Sequence, residues 1–277
     1  MDTAKLQMTP EMEALKTKLK ATWMAGDFAR IAESFSNGAA EFVERLNLKP
    51  GMTVLDVACG TGNQSIPAAR SGALVTGIDI APNLLEEAQK WAENEGLEIR
   101  FDEGDAENLP YRDAGFDAVV SMFGAMFAPR PERVTSELLR VCRAGGLVAL
   151  ANWTPAGFVG QMFKTTGKHV APPAAMPSPL LWGDEKTVRE RLGDRVSQIT
   201  FKEQFISFKF PFGVAETIEF WREFYGPTHK AFAALDAGGQ AALRRDLEDL
   251  WAENNLAADG TTHVTSEYLE ITAVRSA

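Results

Sequence analysis

The sequence predicts an α/β fold, a seven-stranded and mostly parallel sheet carrying helical lid elements. Three observations carry that expectation. Residues 53–57, Thr-Val-Leu-Asp-Val, form a short apolar strand that ends beside an acid and runs through Ala58-Cys59-Gly60-Thr61-Gly62 into a helical pattern. Residues 74–80, Leu-Val-Thr-Gly-Ile-Asp-Ile, repeat the plan and again close on an acid. Two further apolar runs, 99–101 and 116–121, follow in order. A strand, a tight glycine turn and a helix in succession define a Rossmann-like unit, whose strand ends present backbone to a nucleotide-like ligand.

The other elements follow in chain order. Thr9-Pro10-Glu11 is a helix start, a cap followed by proline in the first turn. Leu15, Leu19 and Trp23 recur at helical spacing, Gly26-Asp27 breaks the run, and Phe28, Ile31 and Phe35 resume it. A third helix is expected over 39–46. The sheet begins near Met52, with helices over 63–71, 82–94 and 131–141 after strands one, two and four. Strand five covers 146–153. A helix over 157–168 then leads into a loop holding Pro172, Pro173, Pro177 and Pro179, too rich in proline for a strand. A helix over 184–192 comes next. Alternation marks strands at 196–201 and 205–210, and helices at 214–223 and 240–253, the latter after a Gly238-Gly239 break. The last strand covers 267–274. This divides the chain into a helical cap (1–48), a ligand-binding core (49–153), and lid insertions with the strands that complete the sheet (154–277).

The glycine turn departs from the dinucleotide pattern, because Ser65 stands where a third small residue belongs. Asp56 beside the turn would repel a pyrophosphate and suits a ligand carrying an ammonium group. Asp79 falls about 20 residues beyond the turn, where such folds place the acid that grips ribose hydroxyls. Taken singly, Asp56 and Asp79 each also fit a plain helix cap.

Together with 104–110, Gly-Asp-Ala-Glu-Asn-Leu-Pro, and the strand at 116–121, these segments resemble the class I S-adenosylmethionine (SAM)-dependent methyltransferases. Within that class they are most like the small-molecule group that includes the ubiquinone and menaquinone C-methyltransferases. The resemblance spans roughly residues 50–153. One departure is Ala58, which replaces the first glycine of the commonest pattern. The resemblance implies a strand order of 3-2-1-4-5-7-6 with an antiparallel last strand, and it implies roles. Ala58, Gly60 and Gly62 would wrap the methionine part of SAM, and Asp56 would anchor its amino group, directly or through water. Asp79 would take the ribose hydroxyls and Ile80 would pack on the adenine. Asp105 and the Ala106 amide would meet the adenine edge, and Ser121 would lie beside the methionine portion. The product would be S-adenosylhomocysteine (SAH).

The acceptor site is expected where three additions, the N-terminal helices, the segment after strand five and the helices before the last strand, close over the strand ends as a lid. Aromatic and sulfur side chains crowd those segments, which suits a small aromatic or hydrophobic acceptor taking the methyl group on O, N or C. Most such residues serve a core, so the better candidates are those directly after strands four and five: Met122, Phe123, Met126, Phe127 and Trp153. If the acceptor needs a base, His169 and His229 rank above His263, because their segments are placed over the pocket, and Glu223 stays open. A non-catalytic SAM-binding protein, an NAD-linked oxidoreductase and a protein methyltransferase are the rival readings.

A net charge of −10 with no Lys/Arg block argues against a nucleic-acid substrate. The two cysteines, Cys59 and Cys142, are not expected to pair, which with the lack of a long apolar run suggests a cytoplasmic protein without leader or membrane span. No cysteine cluster or histidine pair at ligand spacing points to a metal.

Overall fold

The computed structural model describes residues 8–277, so the first part of the expected helical cap and the expectation of no leader lie outside the described residues. Seven strands, β1 (Thr53–Val57), β2 (Leu74–Asp79), β3 (Arg100–Glu103), β4 (Phe116–Met122), β5 (Cys142–Trp153), β6 (Val196–Phe210) and β7 (Thr262–Arg275), form one sheet in the order 3-2-1-4-5-7-6. β1 to β5 pair in parallel, and β7 runs antiparallel to both β5 and β6. β1 is an interior strand, and Val54, Leu55, Asp56 and Val57 are all buried, as a strand covered on both faces requires. The chain winds outward from β1 in one direction to β3 and in the other from β4. The crevice between β1 and β4 is therefore the point where a ligand is expected in such a sheet.

Helices α4 (Ser65–Arg70), α5 (Pro82–Asn94) and α6 (Pro131–Val141) follow β1, β2 and β4, and the last two begin on proline as the sequence indicates. Before the sheet come α1 (Pro10–Trp23), α2 (Phe28–Glu33) and α3 (Ser36–Arg45). Thr9 caps α1 by accepting from the Met12 N–H at 3.2 Å. Arg45 ties α3 to the far side of the sheet: its Nε and Nη2 donate to Glu270 on β7 at 2.9 and 2.7 Å.

After β5, α7 (Phe158–His169) and α8 (Glu185–Leu192) precede β6; α9 (Val214–Phe224), α10 (Gly226–Ala233) and α11 (Ala237–Asn254) precede β7. Three details differ from the sequence reading. The runs at 196–201 and 205–210 are one strand, because Lys202-Glu203-Gln204 keeps pairing with β7 and an edge strand tolerates polar residues on its open side. Gly238 and Gly239 lie inside α11, whose start is fixed by Asp236 accepting from the Gly239 N–H at 2.8 Å. Between the helices expected at 214–223 and 240–253, a stretch for which the sequence reading gives no element, Gly226-Pro227-Thr228-His229 starts a further helix, α10.

That helix backs onto α1. A Cβ placed on Gly226 would lie 2.0 Å from the Thr22 carbonyl oxygen, so only glycine permits this approach. Gly226→Ala is expected to cost about 1–3 kcal/mol as overpacking, read as a lower denaturation midpoint; an unchanged midpoint would mean the two helices separate freely.

Candidate functional site

The floor of the site is the turn after β1. Asp56 is wholly buried there, and its Oδ2 accepts from the Ser65 hydroxyl at 2.6 Å. Its Oδ1 has no hydrogen-bond partner among the described residues. Asp79 ends β2 and fastens two turns at once: Oδ2 accepts from the Gly60 N–H and Oδ1 from the Ala81 N–H, each at 2.9 Å. Between them the backbone turns left-handed at Ala58 (φ 56°), Gly60 (φ 54°) and Gly62 (φ 88°). Ala58 holds that conformation at a cost of about 1–2 kcal/mol that glycine would avoid. Gly124 supports it from behind, since a Cβ there would lie 2.4 Å from the Ala58 oxygen.

These acids sit where charge is costly. Burial pushes the Asp56 carboxyl up to about 7, against the relief given by Ser65, and the nearby Asp79 carboxylate adds to the rise. Burial also raises Asp79, against its backbone N–H partners. A raised carboxyl keeps a proton in the folded chain that the unfolded chain has released, so stability falls as pH rises from the ordinary Asp range through about 7. The ligand-free protein is expected to be less stable in denaturant at pH 8 than at pH 5.5. Asp56→Asn should flatten that slope; an equally steep slope in the variant would place its origin elsewhere.

A cavity opens above this floor, with about 920 Å³ of empty space counted to its solvent mouth. Ile80, Ala106, Met122 and Phe123 line it, and Trp23, Phe28, Phe35 and Phe127 form a linked apolar wall. The wall is held edge to face, with Trp23 5.8 Å from Phe28 and 5.0 Å from Phe127 between ring centroids. Lys16 of α1 joins the lining and pairs with both Asp105 and Glu107. Glu107 is wholly buried and also accepts from the Arg130 N–H and Nε, both at 2.7 Å.

Of the residues read from sequence, Ala58, Gly60, Asp79, Ile80, Asp105, Ala106, Met122, Phe123 and Phe127 line this cavity. Asp56 lies beneath the floor, and Gly62 backs against Ala88. Ser121 latches the floor from inside, donating to the Val57 carbonyl at 2.7 Å and accepting from the Ala125 N–H at 3.0 Å. Met126 is buried outside the lining, and Trp153 stacks behind Phe123 at 3.5 Å. The two histidines do not reach the cavity. His169 on α7 pairs with Asp246 of α11 at 2.8 Å, and His229 is exposed on α10 with Nδ1 3.3 Å from the Arg222 carbonyl. The segment after β5 and helices α9 to α11, expected over the pocket, contribute no lining residue; α1 and α2 make the roof. Lys16, Phe35 and Gln64 join the lining without having been singled out in the sequence. Both cysteines are buried and unpaired with each other. Among the described residues no acidic, cysteine or histidine group could hold a metal, and no helix is long and apolar enough to cross a membrane.

Comparison with known proteins agrees with this geometry. A family model described as a methyltransferase domain matches residues 54–146, from β1 to the start of β5. Over 268 residues the chain is 38% identical to an uncharacterized protein of Mycobacterium tuberculosis, covering 96% of this chain and 97% of that one. It is 38% identical over 125 residues to the methyltransferase GfsG of Streptomyces halstedii, covering 44% of this chain and 45% of GfsG. Among solved structures it is similar to the YcgJ protein of Bacillus subtilis, with a TM-score of 0.57 at 17% identity over 87% of this chain and 99% of that one. Residues 54–146 of the chain are a class I SAM-dependent methyltransferase domain.

Proposed function

We propose that this enzyme moves the methyl group of SAM to an O, N or C atom of a small apolar acceptor, an aromatic or prenylated ring being the best fit. The observation that carries the reading is the pair of buried acids, Asp56 and Asp79, under a left-handed glycine turn. Among the described residues the second oxygen of Asp56 meets no hydrogen-bond partner. An unpaired buried carboxylate of this kind favours a cationic ligand, and SAM brings both an ammonium and a sulfonium. Bound there, SAM supplies an activated methyl group for in-line displacement.

The chain's own residues then have distinct tasks. Asp56 acts through its charge and through Ser65. Asp79 holds the Gly60 and Ala81 amides and turns its remaining lone pairs to the ribose diol. Trp23, Phe28, Phe35 and Phe127 exclude water and hold the acceptor in line, from which alignment alone supplies a large share of the rate. No lining side chain among the described residues is a histidine, so this reading gives His169 and His229 no part in proton transfer. The cytoplasm suits both the free thiols and the cofactor.

The test is calorimetric titration with SAM, SAH and NAD in parallel, followed by a labelled-methyl screen of apolar acceptors. Binding of SAM and SAH without NAD, and label in an apolar product, is the expected result. Binding of NAD alone would overturn it. Tight SAM binding with no turnover on any acceptor would make the protein a SAM-binding module.

A further inference from the structure

We infer that Gln64 grips the α-carboxylate of the methionine tail through its side-chain amide; the inference rests on the SAM reading above. The tail carries an ammonium and a carboxylate side by side. The turn that would receive it already places two buried carboxylates, Asp56 and Asp79, at its floor. Those acids suit the ammonium and repel the carboxylate, so a donor must come from another direction. A cation is the obvious choice, yet Lys16 is the one cationic side chain among the described lining residues, and it is engaged by Asp105 and Glu107.

The polar side chains on the turn are Thr61, Asn63 and Gln64. Asn63 donates its Nδ2 to the Ala32 carbonyl at 3.0 Å, and its Oδ1 faces the Thr61 hydroxyl at 3.5 Å. Gln64 is left. It is only 3% exposed and lines the cavity, and its amide meets no protein partner among the described residues. Neither amide atom is sealed off as the orphaned Asp56 Oδ1 is, so what accessible surface the group keeps belongs to a residue of the cavity wall. A buried amide is satisfied in nearly all native proteins; here the missing partner is the ligand. Its two N–H donors suit a carboxylate oxygen, and such charge-assisted bonds are stronger than neutral ones.

The measurement compares SAH with its decarboxylated form, which keeps the amine and the adenosine, on wild type, Gln64→Ala and Gln64→Glu. Gln64→Ala should weaken SAH by about tenfold or more and leave the decarboxylated ligand within about twofold of wild type. Gln64→Glu, close to isosteric, should weaken SAH further while sparing or tightening the amine-only ligand. Thermal melts of both variants separate ligand loss from misfolding. Equal loss of the two ligands in a variant that melts as wild type does would overturn the assignment, making Gln64 a prop for the turn; so would unchanged SAH affinity in both variants. A wild type that binds neither ligand would instead sink the SAM reading itself.

Discussion

Glu107→Gln is expected to be the most destabilising single change at this site, by about 3–5 kcal/mol. The carboxylate is wholly buried and faces two largely buried cations, Lys16 and Arg130, whose side chains are 11% and 9% exposed. Glutamine keeps the shape and removes the charge both cations were desolvated against. The loss should appear as a lower midpoint in denaturant, with α1 loosened first because Lys16 is its link to this cluster. Glu103→Gln is the matched control. It removes the partner of Lys20 on the same helix, but that pair is 52% and 34% exposed, so the change should stay below about 1 kcal/mol. Similar midpoints for the two variants would show that Glu107 is not the anchor of the roof.

Asp79→Ala should have the largest effect on ligand binding. It removes the acceptor of the Gly60 and Ala81 amides as well as the carboxylate proposed for the ribose hydroxyls. Loss of SAH affinity by about 1–3 kcal/mol is expected from the missing ribose partners. A separate stability loss should follow from two backbone N–H groups left without acceptors. Calorimetry and denaturation on the same preparation read the two effects apart. Unchanged SAH affinity would remove Asp79 from the ribose contact and leave it a fastener of turns.

The sheet was readable because its signals are local. Each of β1 to β5 announces itself within its own few residues, and Pro82 and Pro131 mark helix starts without reference to anything distant. The floor was readable for the same reason, since Asp56, the glycine turn and Asp79 lie within one strand-helix-strand unit. The roof was readable only in outline: the N-terminal helices were expected to close over the strand ends together with two later segments, and it is the N-terminal part that lines the cavity. Trp23, Phe28 and Phe35 repeat at the spacing of ordinary core residues, and nothing in α1 separates Lys16 from Lys18 or Lys20 until Asp105, 89 positions on, and Glu107 just beyond it arrive. The histidines stood out by scarcity, which carries no information about place. His169 turns to Asp246 on a neighbouring helix, a contact that depends wholly on how α7 and α11 pack.

The clasp from Arg45 to Glu270 joins residues 225 positions apart. At a synthesis rate of about 5–20 residues per second, roughly 10–45 s separate the two ends of that contact on the ribosome. Through that interval α3 has no β7 to hold, and Phe35, which meets Phe208 of β6 at 6.3 Å, has no neighbour on the late half of the sheet. A nascent chain therefore carries the glycine turn and its two acids long before the aromatic wall above them is fixed, which happens only when the last strand pairs.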